Sequence, residues 1–328
     1  MNDRAVSLLE QYDVEILETR KGRDAIVCDT PSGSLILREY RGQKERLTLQ
    51  NKLLFQIREQ GFMQGEVILP TKDGELYVKD REGVDYILKT YPDGRECNIL
   101  SETELEEVVT LLAKLHQVMP LSLVETDTEK QEHSVFSEYE KKNRELARVR
   151  KYLRKKSQKN GFELALSQVY DSFLEQALEV TASWQNHLGA TLGRSAYSRC
   201  TYCHGDFQYH NLLYKDGEWF IINFEKFILD YPVRDLYLLL RKVMEKNDWS
   251  IELGKKLLRA YEKESPLSEE GRLDLYFRLS YPEKFRKIVN CYFNTGKVFV
   301  SGKNVEKLEK ILAQENQKQQ FLKEFLLS

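Results

Sequence analysis

The sequence has few cysteines, and they are not arranged as a small disulfide-bonded domain would need. Its five cysteines are scattered over 328 residues. Their odd number and wide spacing predict free thiols rather than a disulfide framework. Cys200 and Cys203 have the spacing of half a zinc site, but a structural zinc site needs a second ligand pair of similar spacing. We therefore expect buried thiols here rather than a metal.

The sequence also lacks a long uninterrupted apolar run. A membrane-spanning helix needs roughly 18 to 20 consecutive apolar residues, and no segment reaches that length. The N-terminal segment MNDRAVSLLEQYDVEIL lacks the apolar core of a signal peptide. We expect a protein made inside a cell and without a membrane span. The net charge of -2 gives no preference for an acidic or a basic partner.

What the sequence does contain is typical of a globular α+β protein. The length predicts about two domains of ~100 to 200 residues each. Five strand-like segments precede residue 95: VEILETR, DAIVCDT, SLILREY, EVILPTKDGELYVKD and VDYILKTY. A helical pattern that closes at Gly61 separates the third from the fourth, and helical periodicity dominates from Ser101 onward. We predict an N-terminal lobe over residues 1–95, with an antiparallel sheet and one helix, and a helical lobe over residues 96–328.

The most informative stretch is residues 203–235, CHGDFQYHNLLYKDGEWFIINFEKFILDYPVRD. Its hairpin, residues 203–225, has the order of groups that a kinase-type phosphotransferase needs. His204 and Asp206 are candidate catalytic residues, and Asp206 would accept or orient the proton of an attacking hydroxyl. Asn211 is placed to offer its side-chain oxygen to a magnesium ion between nucleotide phosphates.

The hairpin departs from that pattern at its second end. Asn223 stands where such a kinase presents the aspartate that contributes most to metal binding. An amide oxygen supplies only a dipole, whereas magnesium prefers an anionic oxygen. Glu225 is the alternative metal ligand in this segment. The candidate metal ligands are therefore Asn211, Asn223 and Glu225.

The N-terminal lobe contains weakened phosphate contacts. The turn after the first strand has only Gly22, too little glycine for a backbone cradle around phosphates. Arg38 occupies the strand position where a kinase has a phosphate-binding lysine, and Gln50 falls near the place of the glutamate that holds this lysine. The candidate nucleotide-binding residues are Gly22, Arg38, Gln50 and Asn211. The alternative interpretation of Arg38 is a solvated strand residue without a role in binding.

Residues 141–159 form a strongly basic segment, with ten Lys and Arg against one acid. A narrow apolar stripe of Leu146, Val149 and Leu153 predicts a helix that packs on the protein. Its basic side is either solvated or the binding face for an anionic partner. Nucleic acid fits poorly, because the net charge is near neutral and no nucleic-acid-binding module is recognisable.

Four segments resemble a known group of proteins: YILKTYPDGREC, SEYEKKNRELARVRKYLRKK, HGDFQYHNLL and INFEKFILDYPVRDLYLLLRKVMEK. They are similar to the aminoglycoside phosphotransferase and choline kinase branch of kinase-like folds, and more narrowly to the spore coat protein S family. The resemblance implies a two-lobed protein-kinase-like fold, with a five-stranded antiparallel N-lobe and a mostly helical C-lobe. Asp206 matches the catalytic-loop aspartate, Asn211 the metal-binding asparagine and Asp235 an aspartate that supports the catalytic loop. It also implies synthesis in the mother cell followed by association with the spore coat.

Two functions follow from these expectations. The first is a spore coat component with a degenerate kinase-like fold, non-catalytic or weakly catalytic, which acts in coat assembly and binds other coat proteins or an anionic small molecule or polymer through the face of residues 141–159. The second is an active phosphotransferase, dependent on ATP and Mg²⁺, which uses Asp206 as a base toward an alcohol group. Its substrate would not be a polycationic aminoglycoside if the basic segment borders the cleft, because such substrates need an acidic lining.

Overall fold

The computed structural model describes residues 7–22, 25–119, 135–191, 200–294 and 301–327. Its residue contacts divide the chain into two compact units. The first comprises Met1–Thr126 and Thr201–Ile228, and the second comprises Asp127–Cys200 and Leu229–Ser328. The lobe boundary near residue 95 stays a prediction. The five cysteines are free, and none of the helices described here is long and apolar enough to cross a bilayer.

The first unit contains an antiparallel sheet with strand order β1-β2-β3-β6-β4, and β5 also pairs with β6. The strands are β1 (Glu18–Gly22), β2 (Ala25–Thr30), β3 (Gly33–Glu39), β4 (Ile68–Leu69), β5 (Val78–Lys79) and β6 (Asp85–Thr90). The fourth predicted strand is interrupted: β4 and β5 both pair with β6, and the strand count otherwise agrees with the predicted five. Pro70 lacks an N–H for the ladder, and Gly74 turns the chain with φ of 84°.

The two faces of this sheet differ in composition, because successive side chains of a strand alternate between faces. Leu37 and Leu88 are paired in register and belong to a buried apolar cluster with Leu8, Tyr12 and others. The opposite face carries Arg38 and Lys89, since Arg38 pairs with Ile87 and Ile36 with Lys89. One face therefore builds the core, and the other places two cations together.

The remaining described elements of the first unit include two α-helices and the hairpin that carries the motif of residues 203–225. Helix α1 (Lys44–Glu59) lies between β3 and β4, and Gly61, at φ of 88°, follows its end as the sequence predicts. Helix α2 (Glu102–Val118) starts at the N-cap Ser101. A three-stranded sheet joins β7 (Arg95–Glu96), β9 (Leu212–Lys215) and β10 (Glu218–Ile221), and β8 spans Thr201–Cys203. Two 3₁₀ turns, Tyr209–Asn211 and Phe224–Lys226, precede and follow the hairpin β9–β10. Strand β11 (Ile228–Asp230) leads from the first unit into the second.

The described part of the second unit is helical. Its helices are α3 (Val135–Lys155), α4 (Gly161–Leu188), α5 (Val233–Lys246), α6 (Ile251–Glu264), α7 (Glu269–Ser280), α8 (Glu283–Asn294) and α9 (Ser301–Leu327). The core combines stacked rings, such as Phe173 on Phe285 at 4.4 Å between centroids, with buried ion pairs. Buried Arg278 pairs with Asp230 at 3.0 Å and with Asp274 at 2.9 Å. Such buried cations persist because carboxylates satisfy them.

Candidate active site

The loop that carries Asp206 is fixed by its neighbouring histidine. His204 is fully buried, its Nε2 lies 3.0 Å from the carbonyl oxygen of Ile222, and its Nδ1 accepts the backbone N–H of Asp206 at 3.2 Å. Nε2 must therefore carry the proton, since Nδ1 serves as the acceptor. Gly205 has φ of 77°, and a Cβ there would clash with the carbonyl oxygen of Lys226. In this geometry His204 positions the loop backbone, and glycine is required between it and Asp206.

Both carboxylate oxygens of Asp206 accept hydrogen bonds. Lys226 Nζ donates to Oδ2 at 2.8 Å, and Gln208 donates to Oδ1. Burial raises the pKa of Asp206, but the hydrogen bond and charge of Lys226 outweigh it, so the pKa lies below its ordinary value. The carboxylate is therefore ionised at neutral pH and can orient a donor hydroxyl, while Lys226, whose side chain is 68% exposed, can swing away.

The two asparagines of the motif hydrogen-bond to each other. Asn211 Nδ2 donates to the carbonyl oxygen of Asp206 at 2.8 Å, and its Oδ1 accepts Asn223 Nδ2 at 2.9 Å. Asn223 has φ of 66°, a left-handed conformation that asparagine tolerates better than most residues. Its Oδ1 accepts from Arg38 Nη1 at 2.7 Å and from Lys89 Nζ at 3.2 Å. Each amide oxygen thus already faces a donor of the protein.

Lys89 is the central cation of the site. Its side chain is 2% exposed, and its Nζ lies 2.8 Å from Glu66 Oε2, 2.8 Å from Glu225 Oε1 and 3.2 Å from Asn223 Oδ1. An ammonium group has three N–H donors, so these three oxygens satisfy it fully. We call Lys89, Glu66, Glu225 and Asn223 the ammonium cage.

Glu66 holds the backbone of the same turn. Its Oε2 accepts the N–H of Asn223 at 2.7 Å, and its Oε1 accepts the N–H of Phe224 at 3.0 Å. Gln50 Nε2 donates to Glu66 Oε1 at 3.4 Å. One buried carboxylate therefore connects helix α1, strand β6 and the segment that begins at Asn223.

Glu225 faces two cations rather than open solvent. Its Oε1 lies 2.8 Å from Lys89 Nζ and 3.7 Å from Arg38 Nη1. Burial raises the pKa of Glu225, but the charges of Lys89 and Arg38 and the hydrogen bond from Lys89 hold it below the ordinary value. Its carboxylate is ionised and already paired.

The structure brings most of the sequence-predicted residues together, in pairings that the sequence did not predict. Arg38 contacts Asn223 and Glu225, whereas Gln50 contacts Glu66; within the described residues no hydrogen bond joins Arg38 to Gln50. Gly22 ends strand β1, and residues 23–24 of the same turn lie outside the described residues. Asp235 is buried in the first turn of α5 in the second unit, and its supporting role stays a prediction.

Sequence reasoning missed Lys89, Glu66 and Arg46. A lysine inside the apolar strand VDYILKTY, two residues after Ile87 and therefore on its face, was the available signal for Lys89. Glu66 and Arg46 carried no comparable signal, because their partners are distant in sequence. Arg46 of α1 donates to the carbonyl oxygens of Glu225, at 3.1 Å, and Phe227, and its guanidinium lies over the Phe227 ring.

These side chains do not fit a kinase-type magnesium site as they stand. Magnesium needs oxygen ligands at about 2.0 to 2.1 Å in near-octahedral geometry. The Oδ1 atoms of Asn211 and Asn223 accept hydrogen bonds from the protein, and Glu225 binds the ammonium of Lys89. A divalent cation among these ligands would have to displace Lys89.

The basic segment lies in the second unit and is partly neutralised. Carboxylates of other residues pair with five of its ten cations: Lys142 with Glu138 and Glu283, Arg144 with Glu140, Arg150 and Arg154 with Asp171, and Lys156 with Glu163. Four exposed cations of α3 form no ion pair with the described residues. We call these the α3 stripe: Lys141, Arg148, Lys151 and Lys155. Their spacing of 7, 3 and 4 residues places them on one side of the helix.

Comparison with known proteins agrees with the resemblance that the sequence shows to spore coat proteins and kinase-like folds. A family model described as "Spore coat putative kinase YutH" matches residues 6–325. The chain therefore belongs to this spore coat putative kinase family. It is 25% identical over 325 residues to Spore coat protein S of Bacillus subtilis (strain 168), covering 94% of this chain and 88% of that protein.

Several solved structures similar to this member of the spore coat putative kinase family have the names of small-molecule kinases. An aminoglycoside phosphotransferase from Alicyclobacillus acidocaldarius has a TM-score of 0.84 at 18% identity, over 98% of this chain and 94% of that chain. An amicoumacin kinase in complex with AMP-PNP, Ca²⁺ and Ami has a TM-score of 0.63 at 14% identity, over 98% and 92%. At these identities the likeness concerns the fold alone, and it confirms the predicted α+β, protein-kinase-like fold of the aminoglycoside phosphotransferase type.

Proposed function

We propose that this protein is a spore coat component whose kinase-like fold is non-catalytic or weakly catalytic and acts in coat assembly. The spore coat family and the relative Spore coat protein S support the coat role. One observation carries the non-catalytic part: the oxygens of Asn211 and Asn223 are bonded to donors of the protein itself.

The physical argument concerns charge neutralisation. Phosphoryl transfer depends almost entirely on positioning and on metal and cationic groups that neutralise the phosphate oxygens. Asn223 supplies no anionic oxygen, and Glu225, the alternative ligand, is paired with Lys89 at 2.8 Å. A protein with this site lacks the charge neutralisation that contributes most to the rate of phosphoryl transfer, while its fold stays intact.

In this proposal the basic α3 stripe binds an acidic surface of another coat protein. The stripe presents four cations on one side of α3, and these four cations have no acidic partners among the described residues. Long-range attraction between such a stripe and an acidic surface speeds encounter and favours one orientation. Spore localisation after synthesis in the mother cell belongs to the same proposal.

A second candidate function is an active phosphotransferase that uses ATP and Mg²⁺ and transfers phosphate to an alcohol group. The observation that favours it is Asp206, whose pKa is held below its ordinary value by Lys226, so that the carboxylate stays ionised and available to orient a hydroxyl. The amicoumacin kinase complex with AMP-PNP and Ca²⁺ is a precedent for nucleotide in this fold. The acceptor in this candidate function is an alcohol other than an aminoglycoside, as the sequence predicts.

The test is thermal unfolding with and without ATP plus Mg²⁺ or Mn²⁺, together with ATP consumption. A nucleotide at about 100 times its dissociation constant would stabilise the folded state by ~2.7 kcal/mol. We expect no metal-dependent shift in melting temperature and no ATP consumption above that of Asp206→Asn. A clear shift, with turnover that Asp206→Asn abolishes at unchanged melting temperature, would establish the second function instead.

A further inference from the structure

The ammonium of Lys89 has the surroundings of a bound cation. It is 2% exposed and in contact with one oxygen each of Glu66, Glu225 and Asn223 at 2.8, 2.8 and 3.2 Å. Two of these oxygens belong to the carboxylates of the site, and the third belongs to the residue in the metal-aspartate position of the motif. The cage is thus built from the same groups that a divalent cation would need.

The charges of the ammonium cage and Arg38 balance without any metal. Glu66 and Glu225 contribute two negative charges, and Lys89 and Arg38 contribute two positive charges, with Arg38 Nη1 3.7 Å from Glu225 Oε1. A divalent cation added to this neutral group would meet repulsion from Lys89 in a poorly solvated place. Occupation by Lys89 and occupation by a divalent cation are therefore mutually exclusive.

We propose that Lys89 is a built-in cation that replaces the divalent metal of an active kinase and keeps metal–nucleotide complexes out of the ammonium cage. The inference rests on the proposed non-catalytic function and supplies its cause. An uncharged Asn223 fits the neutral balance of the cage and Arg38: an aspartate there would add a third carboxylate to two cations.

The decisive variant is Lys89→Met, which keeps an unbranched side chain and removes the charge. Its two freed carboxylates should bind Mn²⁺, and we expect an affinity at least ~10-fold tighter than in the unmodified protein, measured by electron paramagnetic resonance of free Mn²⁺. Lys52→Met, a change of an exposed lysine of α1, is the matched control and should leave Mn²⁺ binding unchanged. Lys89→Met/Glu225→Gln should lose the gained site.

Asn223→Asp separates this inference from a simpler one. It restores the metal aspartate but leaves Lys89 in place, so we expect little gain in Mn²⁺ binding. A gain equal to that of Lys89→Met would overturn the role assigned to Lys89 and assign metal exclusion to Asn223. Equal Mn²⁺ binding by Lys89→Met and the unmodified protein would overturn it as well.

A measurement on the unmodified protein keeps the inference testable if Lys89→Met fails to fold. Acetylation by acetic anhydride, followed by mass spectrometry, should modify Lys89 at least ~10-fold more slowly than exposed Lys52, with or without ATP and Mg²⁺. Modification of Lys89 as fast as Lys52, or acceleration by ATP and Mg²⁺, would show that the ammonium leaves the cage. ATP consumption by the unmodified protein would instead refute the proposed function, and the two failures are thus distinguishable.

Discussion

Gly205 shows how one residue sets the position of the candidate base Asp206. Its φ of 77° is unfavourable for a side chain, and a Cβ would clash with the carbonyl oxygen of Lys226. We expect Gly205→Ala to destabilise the protein by about 1 to 3 kcal/mol in urea unfolding. Gly161→Ala, at the start of α4 where a Cβ meets no neighbour, is the control and should be neutral or slightly stabilising. Equal midpoints for the two variants would contradict the strain assigned to Gly205.

Gln50 is the residue that the sequence places near the glutamate of a kinase, and we expect a glutamate there to destabilise this site. Gln50 is fully buried, its Nε2 donates to Glu66, and its Oε1 has no hydrogen-bond partner among the described residues. Gln50→Glu would place a second carboxylate beside Glu66. We therefore expect the free energy of unfolding, measured in urea at pH 8, to fall by about 2 to 4 kcal/mol.

The pH dependence of the stability of Gln50→Glu shows whether the charge of the new carboxylate causes the destabilisation. Repulsion and burial would raise the folded-state pKa of the new carboxyl above its unfolded value, so protonation should reduce the loss as pH falls from 8 to 5. Gln50→Met, of similar size and uncharged, should show a smaller and pH-independent change. Unchanged stability of Gln50→Glu at pH 8 would mean that the new carboxylate pairs with Arg38, as the glutamate of an active kinase pairs with its lysine.

At the scale of elements, the hairpin could be predicted from sequence and the ammonium cage could not. Asp206, Asn211 and Asn223 lie within one short local motif, so their proximity follows from a turn and two strands. Lys89 and Glu66 reach the site through the register of β3, β6 and β4, which no local pattern specifies. The sequence therefore predicted the kinase-like fold correctly but paired Arg38 with Gln50, since it contained no sign of the carboxylate that binds Gln50 instead.

The contacts between α3 and α8 predict a loss of stability in acid. Glu283 accepts from Arg286 at 2.6 Å and lies 3.2 Å from Lys142. Burial raises the pKa of Glu283, but Lys142, Arg286 and Arg241 outweigh it and lower the pKa to about 2. Because the unfolded value is higher, at ~4.3, the ionised carboxylate stabilises the fold at neutral pH, and this contribution is lost as pH falls from about 5 to about 2.

Glu283→Gln tests this assignment. We expect it to destabilise the protein by ~3 kcal/mol at pH 7, with a difference from the unmodified protein that shrinks toward pH 3. The measurement is urea unfolding across that range. Glu179→Gln, at an exposed position of α4 without an ion pair to the described residues, is the control. A difference that stayed constant with pH would mean that packing rather than charge accounts for the loss.

At the scale of the whole molecule, the chain is nearly neutral, yet its charge is distributed unevenly. Net charge is -2, while the α3 stripe presents four exposed cations in a row and other cations of the same helix are paired with carboxylates. Arg144, three residues after Lys141 and four before Arg148, also lies on the stripe side and pairs with Glu140 at 4.0 Å. That side therefore carries one paired cation and four cations without an ion pair to the described residues, an excess of positive charge that would attract an acidic surface.

Alanine replacement of the whole α3 stripe tests that surface, with poly-L-glutamate as the probe. The unmodified protein should bind it at low salt and release it at moderate salt, because exposed charges are screened. The stripe variant should bind at least ~10-fold more weakly. The matched control removes four exposed lysines of α9: Lys303, Lys307, Lys310 and Lys323. It changes the net charge equally, so an equal loss in the control would mean that net charge alone governs binding. Selective loss in the stripe variant would instead identify the α3 stripe as a binding surface for acidic polymers, the property that the proposed docking to an acidic coat partner requires.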